Sequence, residues 1–362
     1  MNIAILGAGA WGTALAISLS KHHRVTLWAR DAVQIQEMSA ARCNQRYLPE
    51  VTLPQELRLT SALNEALADT EFILIAVPIS ALRATLCQIA SRFSMLNAST
   101  LQAPLSNPLP QAGERANEKG IVKSPPVVWA CKGFEADTAQ LPHQIAAEIL
   151  PETFRYGVLS GPSFALEVAR GLPTALTLAS SDGEFARQAA QALHHARLRI
   201  YSSSDITGVE VGGAIKNVLA IAAGIADGMG FGFNARAALI TRGLAEMTRL
   251  GLRLGGCAET LGGLSGAGDL ILTCTGDLSR NRQVGILLAQ QQSLPDILRQ
   301  LGHVAEGVYT VRAAHLLAQR LGVDMPICAA VYRVLYEQVP AASAVEDLLN
   351  RVPNSEFNRI GD

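Results

Sequence analysis

Asn2-Ile-Ala-Ile-Leu-Gly-Ala-Gly-Ala-Trp-Gly-Thr-Ala-Leu-Ala-Ile-Ser-Leu-Ser-Lys21 decides the fold. Residues 2–6 are a short apolar run, and Gly7-Ala-Gly-Ala-Trp-Gly12 follows as a turn. Residues 13–21 read as a helix, and Arg24–Arg30 as a second strand. Strand, glycine turn, helix and strand fall within about thirty residues, the context that gives a Gly-x-Gly-x-x-Gly its meaning as a dinucleotide fingerprint. Gly7 permits the tight turn, Gly9 lets the backbone approach a pyrophosphate, and Gly12 allows close helix packing. The amides of Ala10 and Trp11 present N–H groups to the anion, helped by the helix dipole.

Further buried strands are predicted at Phe72–Val77, closed by Pro78, and at 127–131, 156–160, 174–178 and 197–201. Continuous apolar strands alternating with helices predict a mostly parallel sheet covered on both faces. After residue 205 the period becomes helical, over 208–226, 234–253, 279–291, 306–320 and 326–338, with no strand-like runs. The fold class is therefore α/β. A Rossmann-type dinucleotide domain is expected over 1–205 and an all-helical substrate and catalytic domain over 206–362. Open sheets of this kind bind ligands at the carboxyl ends of their strands, so the active site is expected in the interdomain cleft. Residues 103–126, rich in Pro, Asn and Gly, read as a surface insertion, and 351–362 as a polar tail.

Bulk properties exclude several classes. With a formal net charge of −1, no global field favours nucleic acid or anionic membranes. No basic start precedes an apolar stretch, so no signal peptide is expected. No apolar run approaches the ~18 residues of a membrane span. The six cysteines are scattered, without zinc or thioredoxin-type spacing, and read as reduced thiols of a cytoplasmic protein. His22-His23 and His194-His195 are adjacent pairs, unsuited to an i,i+4 metal site, and read as helix-end surface residues. No metal is expected.

Two features speak of chemistry. The second strand ends in Arg30 and Asp31, where an acidic residue commonly accepts the ribose 2′-hydroxyl of NAD. A guanidinium there favours a 2′-phosphate and hence NADPH, while Asp31 admits NADH. The second feature is Lys216, the one charged residue between Val211 and Ala226. A lysine in such apolar company is desolvated, which lowers its pKa and suits proton transfer to a carbonyl reduced by hydride. Gly212 and Gly213, one turn earlier, permit close approach of another backbone or of substrate.

Other polar islands follow strands or open helices. Ala130-Cys-Lys-Gly133 holds Lys132, and Leu159-Ser-Gly-Pro-Ser-Phe-Ala165 holds Gly161 and Ser163. Gly262-Gly-Leu-Ser-Gly-Ala-Gly-Asp269 ends in a carboxylate whose plainer reading is a helix cap. Ser279, Arg280 and Asn281 at a helix start suit a phosphate, although such a trio also reads as a cap with a surface arginine.

Taken in order, the islands resemble the bacterial-type NAD(P)-dependent sn-glycerol-3-phosphate dehydrogenases. The resemblance rests on residues 7–16, 131–133, 160–165, 210–217, 266–269, 279–281 and Val304-Ala-Glu-Gly307, and spans nearly the whole chain. It implies reversible reduction of dihydroxyacetone phosphate to sn-glycerol 3-phosphate, feeding phospholipid synthesis, with Lys216 transferring the proton. It implies that Lys132 touches both cofactor and substrate, and that Gly161, Ser163, Asp269, Ser279, Arg280 and Asn281 line the substrate site. Cofactor contacts are implied for Trp11, Arg30, Ala165, Arg280, Val304 and Glu306. Homodimers without metal are implied as well. Two departures stand out: Ala10 where many relatives carry Ser, and the insertion at 103–126.

Competing readings are an oxidoreductase of another substrate, such as a 3-hydroxyacid or 6-phosphogluconate dehydrogenase, and a non-enzymatic dinucleotide sensor. The Ser-Arg-Asn island with the Gly-Ala-Gly-Asp loop favours a phosphorylated three-carbon substrate. A sensor leaves Lys216 without a purpose.

Overall fold

The computed structural model describes residues 1–101, 124–302 and 305–351. Most of the expected insertion, Val304 and the tail from 352 therefore lie outside the described residues. Two compact units divide the chain: Met1–Glu135 with Gln140–Glu210, and Ala136–Ala139 with Val211–Asp362.

The first unit is built on strands β1 (Asn2–Leu6), β2 (Arg24–Trp28), β3 (Cys43–Asn44), β4 (Leu48–Thr52), β5 (Arg58–Thr60), β6 (Phe72–Ile75), β7 (Val127–Trp129), β8 (Tyr156–Ser160), β9 (Thr174–Ala179) and β10 (Leu198–Ser203). Its helices are α1 (Ala10–Ser20), α2 (Ala32–Ala41), α3 (Leu63–Ala66), α4 (Ile79–Leu101), α5 (Pro142–Ile149), α6 (Ala165–Ala169) and α7 (Gly183–Leu193). Eight strands form one sheet in the order β10-β9-β8-β7-β6-β1-β2-β5, and β3 pairs with β4 apart from it. From β5 to β8 every pairing is parallel, and the order is the dinucleotide-binding one, with its switch point between β1 and β6.

Alternate residues of the central strands feed two cores. Ile3, Ile5, Leu74, Val128 and Leu159 pack on one face. Ala4, Leu6, Ile73, Ile75, Val127, Trp129 and Val158 pack on the other. Both faces are covered, which is why these strands read as unbroken apolar runs.

One pairing departs from the parallel expectation: β9 runs antiparallel to β8, and β10 follows β9 in parallel. Between β8 and β9 lies only the five-residue α6. Such a helix rises about 7.5 Å, roughly half the length of the strand it leaves, so the chain turns back before reaching the strand's start. Strands β3, β4 and β5 carry no apolar run and escaped the sequence reading. The histidine pairs follow the ends of α1 and α7, with His22 and His194 exposed, as expected. The pairs also meet, with the His22 and His195 rings 4.8 Å apart and Ser18 Oγ 2.9 Å from His195 Nε2.

The second unit, as described, is helical. Helix α8 (Ile206–Gly228) begins in the first unit and crosses the division after Glu210. Then come α9 (Gly232–Arg253), α10 (Ala258–Gly262), a π-helical turn at Leu264–Gly268, α11 (Asp269–Thr275) and α12 (Arg280–Ala289). The last are α13 (Leu294–Leu301), α14 (Glu306–Leu321), α15 (Pro326–Tyr336) and α16 (Ala341–Leu349).

Contrary to the sequence expectation, α8 is long and apolar enough to cross a bilayer, with a mean hydropathy of 1.5 over its most apolar stretch. That stretch is wholly buried within the protein. Helix α12 crosses α8 at van der Waals range through glycines. A Cβ on Gly224 would sit 2.0 Å from the Arg282 carbonyl oxygen, and one on Gly285 2.1 Å from that of Ile221.

Candidate active site

Three clusters gather the residues singled out in the sequence. The first is the glycine turn. Gly7 has φ +118°, and its N–H donates to the Trp28 carbonyl at 2.9 Å. A Cβ there would lie 2.6 Å from the Ala76 oxygen, and one on Gly12 1.9 Å from the Gly7 oxygen. These two positions exclude side chains because the protein's own backbone fills the space. Gly9 differs: a Cβ built on it meets nothing within 4 Å. It is the N-cap residue of α1, and no side chain caps that helix. Open space beside the amide end of a helix headed by Ala10 and Trp11 fits a dinucleotide pyrophosphate.

Arg30, two residues past β2, is exposed. Asp31 beside it caps α2, its carboxylate accepting from Val33 N at 2.9 Å and Gln34 N at 3.3 Å. Its other oxygen lies 3.8 Å from Arg46.

The second cluster surrounds the carbonyl of Gly161, just past β8. Ser163 Oγ donates to it at 2.9 Å, and Lys132 Nζ at 3.4 Å. Ala165 opens α6. Lys132 follows β7, so both members emerge at the carboxyl ends of neighbouring parallel strands, where this kind of sheet binds its ligands.

The third cluster lies in the second unit. Lys216, on α8, is buried, and its ammonium donates to the Asp269 carboxylate and, at 3.0 Å, to Thr273 Oγ1. Asp269 therefore does not act as the helix cap that its position suggested. It is the first residue of α11, and its side chain turns to the lysine. The geometry follows from small residues. A Cβ on Gly212 would lie 2.5 Å from the Ser265 oxygen, and one on Gly266 1.9 Å from that of Leu261. Without these side chains the π-turn lies directly on α8 and delivers Asp269 to Lys216. A buried ammonium needs such a countercharge. Burial pushes the thiol of Cys274, next along, up to about 12.

Ser279 is a cap, its hydroxyl accepting from Arg282 N at 3.3 Å. Arg280 is exposed at the first position of α12. The Asn281 amide is engaged inside the protein: Nδ2 donates to Asn217 Oδ1, and Oδ1 accepts from Gly307 N, each at 3.0 Å. Glu306 starts α14, in line with that contact. Val304 lies outside the described residues.

Sequence reasoning missed Thr273 and Asn217. Asp269 and Thr273 stand four apart on an apolar helix, a spacing that puts both on one face and was readable. Asn217 follows the lysine directly, and its role depends on a partner 64 residues away.

With this geometry in hand, comparison with known proteins is direct. Residues 2–101 and 112–186 match the family described as NAD-dependent glycerol-3-phosphate dehydrogenase N-terminus, and residues 205–346 its C-terminus. A glycerol-3-phosphate dehydrogenase [NAD(P)+] of Nitrosomonas europaea is 56% identical over 98% of this chain and 99% of its own length. One from Thiobacillus denitrificans is 54% identical over 99% of this chain and 100% of its own. The crystal structure of glycerol-3-phosphate dehydrogenase from Coxiella burnetii matches with a TM-score of 0.85 at 39% identity, covering 97% of this chain and 99% of that one. The chain belongs to the NAD(P)-dependent glycerol-3-phosphate dehydrogenases.

Proposed function

We propose that this enzyme reduces dihydroxyacetone phosphate reversibly to sn-glycerol 3-phosphate, with Lys216 as proton donor and acceptor. The reading extends to NADPH as preferred cofactor with NADH admitted, supply of glycerophospholipid synthesis, a cytoplasmic setting and a homodimer. The first domain holds the cofactor and the helical one acts on the substrate. The observation that carries it is the buried Lys216 ammonium bonded to Asp269 and Thr273.

When bound, NADPH supplies the hydride for the carbonyl carbon. As the carbonyl π bond breaks, the oxygen gains charge and takes a proton from Lys216 Nζ. Asp269 supplies the countercharge of the ammonium and orients it before the step. Thr273 fixes a second direction of the ammonium. In reverse, the neutral amine removes the hydroxyl proton. Gly7, Gly9 and Gly12, with the Ala10 and Trp11 amides, would hold the pyrophosphate, and Arg30 a 2′-phosphate. The engagement of Asp31 in capping α2 supports the preference for NADPH. Lys132, Gly161, Ser163, Ser279 and Arg280 would hold the phosphorylated substrate. Asn281 supports the site from behind by joining Asn217 to the start of α14.

Lys216→Ala should keep NADPH affinity and lose roughly 10³-fold or more in kcat. Retained turnover rejects the role. A coupled assay separates the substrates: turnover of a non-phosphorylated hydroxyacid with none of dihydroxyacetone phosphate overturns the reading.

A further inference from the structure

Glu210 is a buried carboxylate that the mechanism above does not use. It lies on the first turns of α8, and its side chain is almost completely shielded from water. It collects three donors. Trp129 Nε1 donates to Oε1 at 2.9 Å, and His143 N donates to the same oxygen at 3.1 Å. His143 Nδ1 lies 2.6 Å from Oε2. Burial pushes the Glu210 carboxyl above the ordinary carboxylate range, against the pull of these partners.

The donors come from separate elements. Trp129 is fully buried at the end of β7, three residues before Lys132. His143 lies in the first turn of α5, a helix whose N-cap, Leu141, makes no side-chain cap bond. Glu210 therefore supplies the acceptor for the His143 N–H, beside Gln144 Oε1, which accepts from Leu141 N at 2.9 Å. A carboxylate placed in an apolar core disfavours folding unless its partners are held in register with it. Here that register joins the end of β7 and the start of α5 to the beginning of α8, the helix that bears Lys216 six residues later.

We propose that Glu210 is a positioning residue: through the indole of Trp129 it fixes the end of β7, and thereby the point from which Lys132 reaches the Gly161 carbonyl and the substrate. The inference rests on the role given above to Lys132. Losing the anchor lets the Lys132 backbone shift, and small displacements of a binding group are amplified in rate.

The test uses the full-length enzyme, with active sites counted by stoichiometric NADPH binding. Glu210→Gln, and separately Trp129→Phe, should lower kcat/KM for dihydroxyacetone phosphate about tenfold or more per active site, a larger change than any in NADPH affinity. In a Lys132→Ala background, adding Glu210→Gln should cause no further loss. A merely structural carboxylate would reduce the number of active sites and leave the per-site constants alone.

Unchanged per-site kcat/KM in either variant, or losses that multiply in the Lys132→Ala background, overturn the inference. Should Glu210→Gln fail to fold, Trp129→Phe carries the same comparison in both backgrounds. If Lys132→Ala itself retains full kcat/KM, the role of Lys132 falls and this inference with it. A loss in Lys132→Ala alone sinks only the part assigned to Glu210.

Discussion

Lys216 and Asp269, 53 residues apart in sequence, form an ion pair closed to water on both sides, their side chains 8% and 1% exposed. Removing one partner leaves an uncompensated buried charge. Asp269→Asn should therefore destabilise the protein by about 3–5 kcal/mol and lower kcat/KM at least 10²-fold. Lys216→Met combined with Asp269→Asn should be more stable than Asp269→Asn alone, because no charge is then stranded. Denaturant unfolding of the two single variants and the double measures this. Additive losses would refute the coupling.

Cofactor choice is predicted to rest on Arg30. Arg30→Ala should raise KM for NADPH about 10- to 100-fold and leave that for NADH nearly unchanged, since a guanidinium recognises the extra phosphate. Steady-state kinetics with both cofactors on one substrate decides it. Equal effects on the two would remove Arg30 from the 2′-phosphate site.

Gly212→Ala should separate packing from chemistry. The added methyl would press on the Ser265 carbonyl, 2.5 Å away, and displace the turn that leads into Asp269. A stability loss of about 1–3 kcal/mol is expected, together with a fall in kcat larger than the change in NADPH affinity. Wild-type kcat would show that the turn can move without disturbing the pair.

One half-buried group and one buried group give stability pH dependences of opposite sign. His195 is pushed down to about 4, first by burial and then by the charges of His22, His194, Lys21 and His23. Its folded value lies below the unfolded one of 6.5, so its contribution is complete above about 6.5 and is lost as pH falls toward 4. Glu246 is raised to about 7 by burial, although the Ile327 and Cys328 amides oppose the shift. Its contribution is present at acid pH and is lost as pH rises through about 7. In thermal melts from about pH 4 to 8, stability should rise less with pH between about 4 and 6.5 in His195→Gln, and fall less between about 4.5 and 7 in Glu246→Gln, each compared with the wild type. Curves parallel to the wild type would refute both assignments.

The sequence made some of this plain, for reasons visible in the structure. The glycine turn was legible because steric exclusion acts locally: Gly7 and Gly12 are fixed by backbone atoms within reach of the same turn or its neighbour strand. Lys216 was legible because its helix has no other charge. The antiparallel β9 was not, since its direction depends on how far a five-residue helix carries the chain. Asp269 was open to a cap reading beside the substrate-site role that the resemblance implied, because its partner Lys216 lies on another helix. The meeting of His22 with His195 and the anchoring of Trp129 by Glu210 are likewise long-range, and no local pattern encodes them.

The crossing of α8 and α12 constrains how such an enzyme can evolve. Gly224 and Gly285 each place a hydrogen where a methyl on either would strike the opposite backbone. Neither position can acquire a side chain first, and changing both at once makes matters worse. A lineage can leave this arrangement only by moving the two helices apart, and with them the support behind the lysine. Heritable variation at these sites is thus closed off by geometry, ahead of any selection on catalysis.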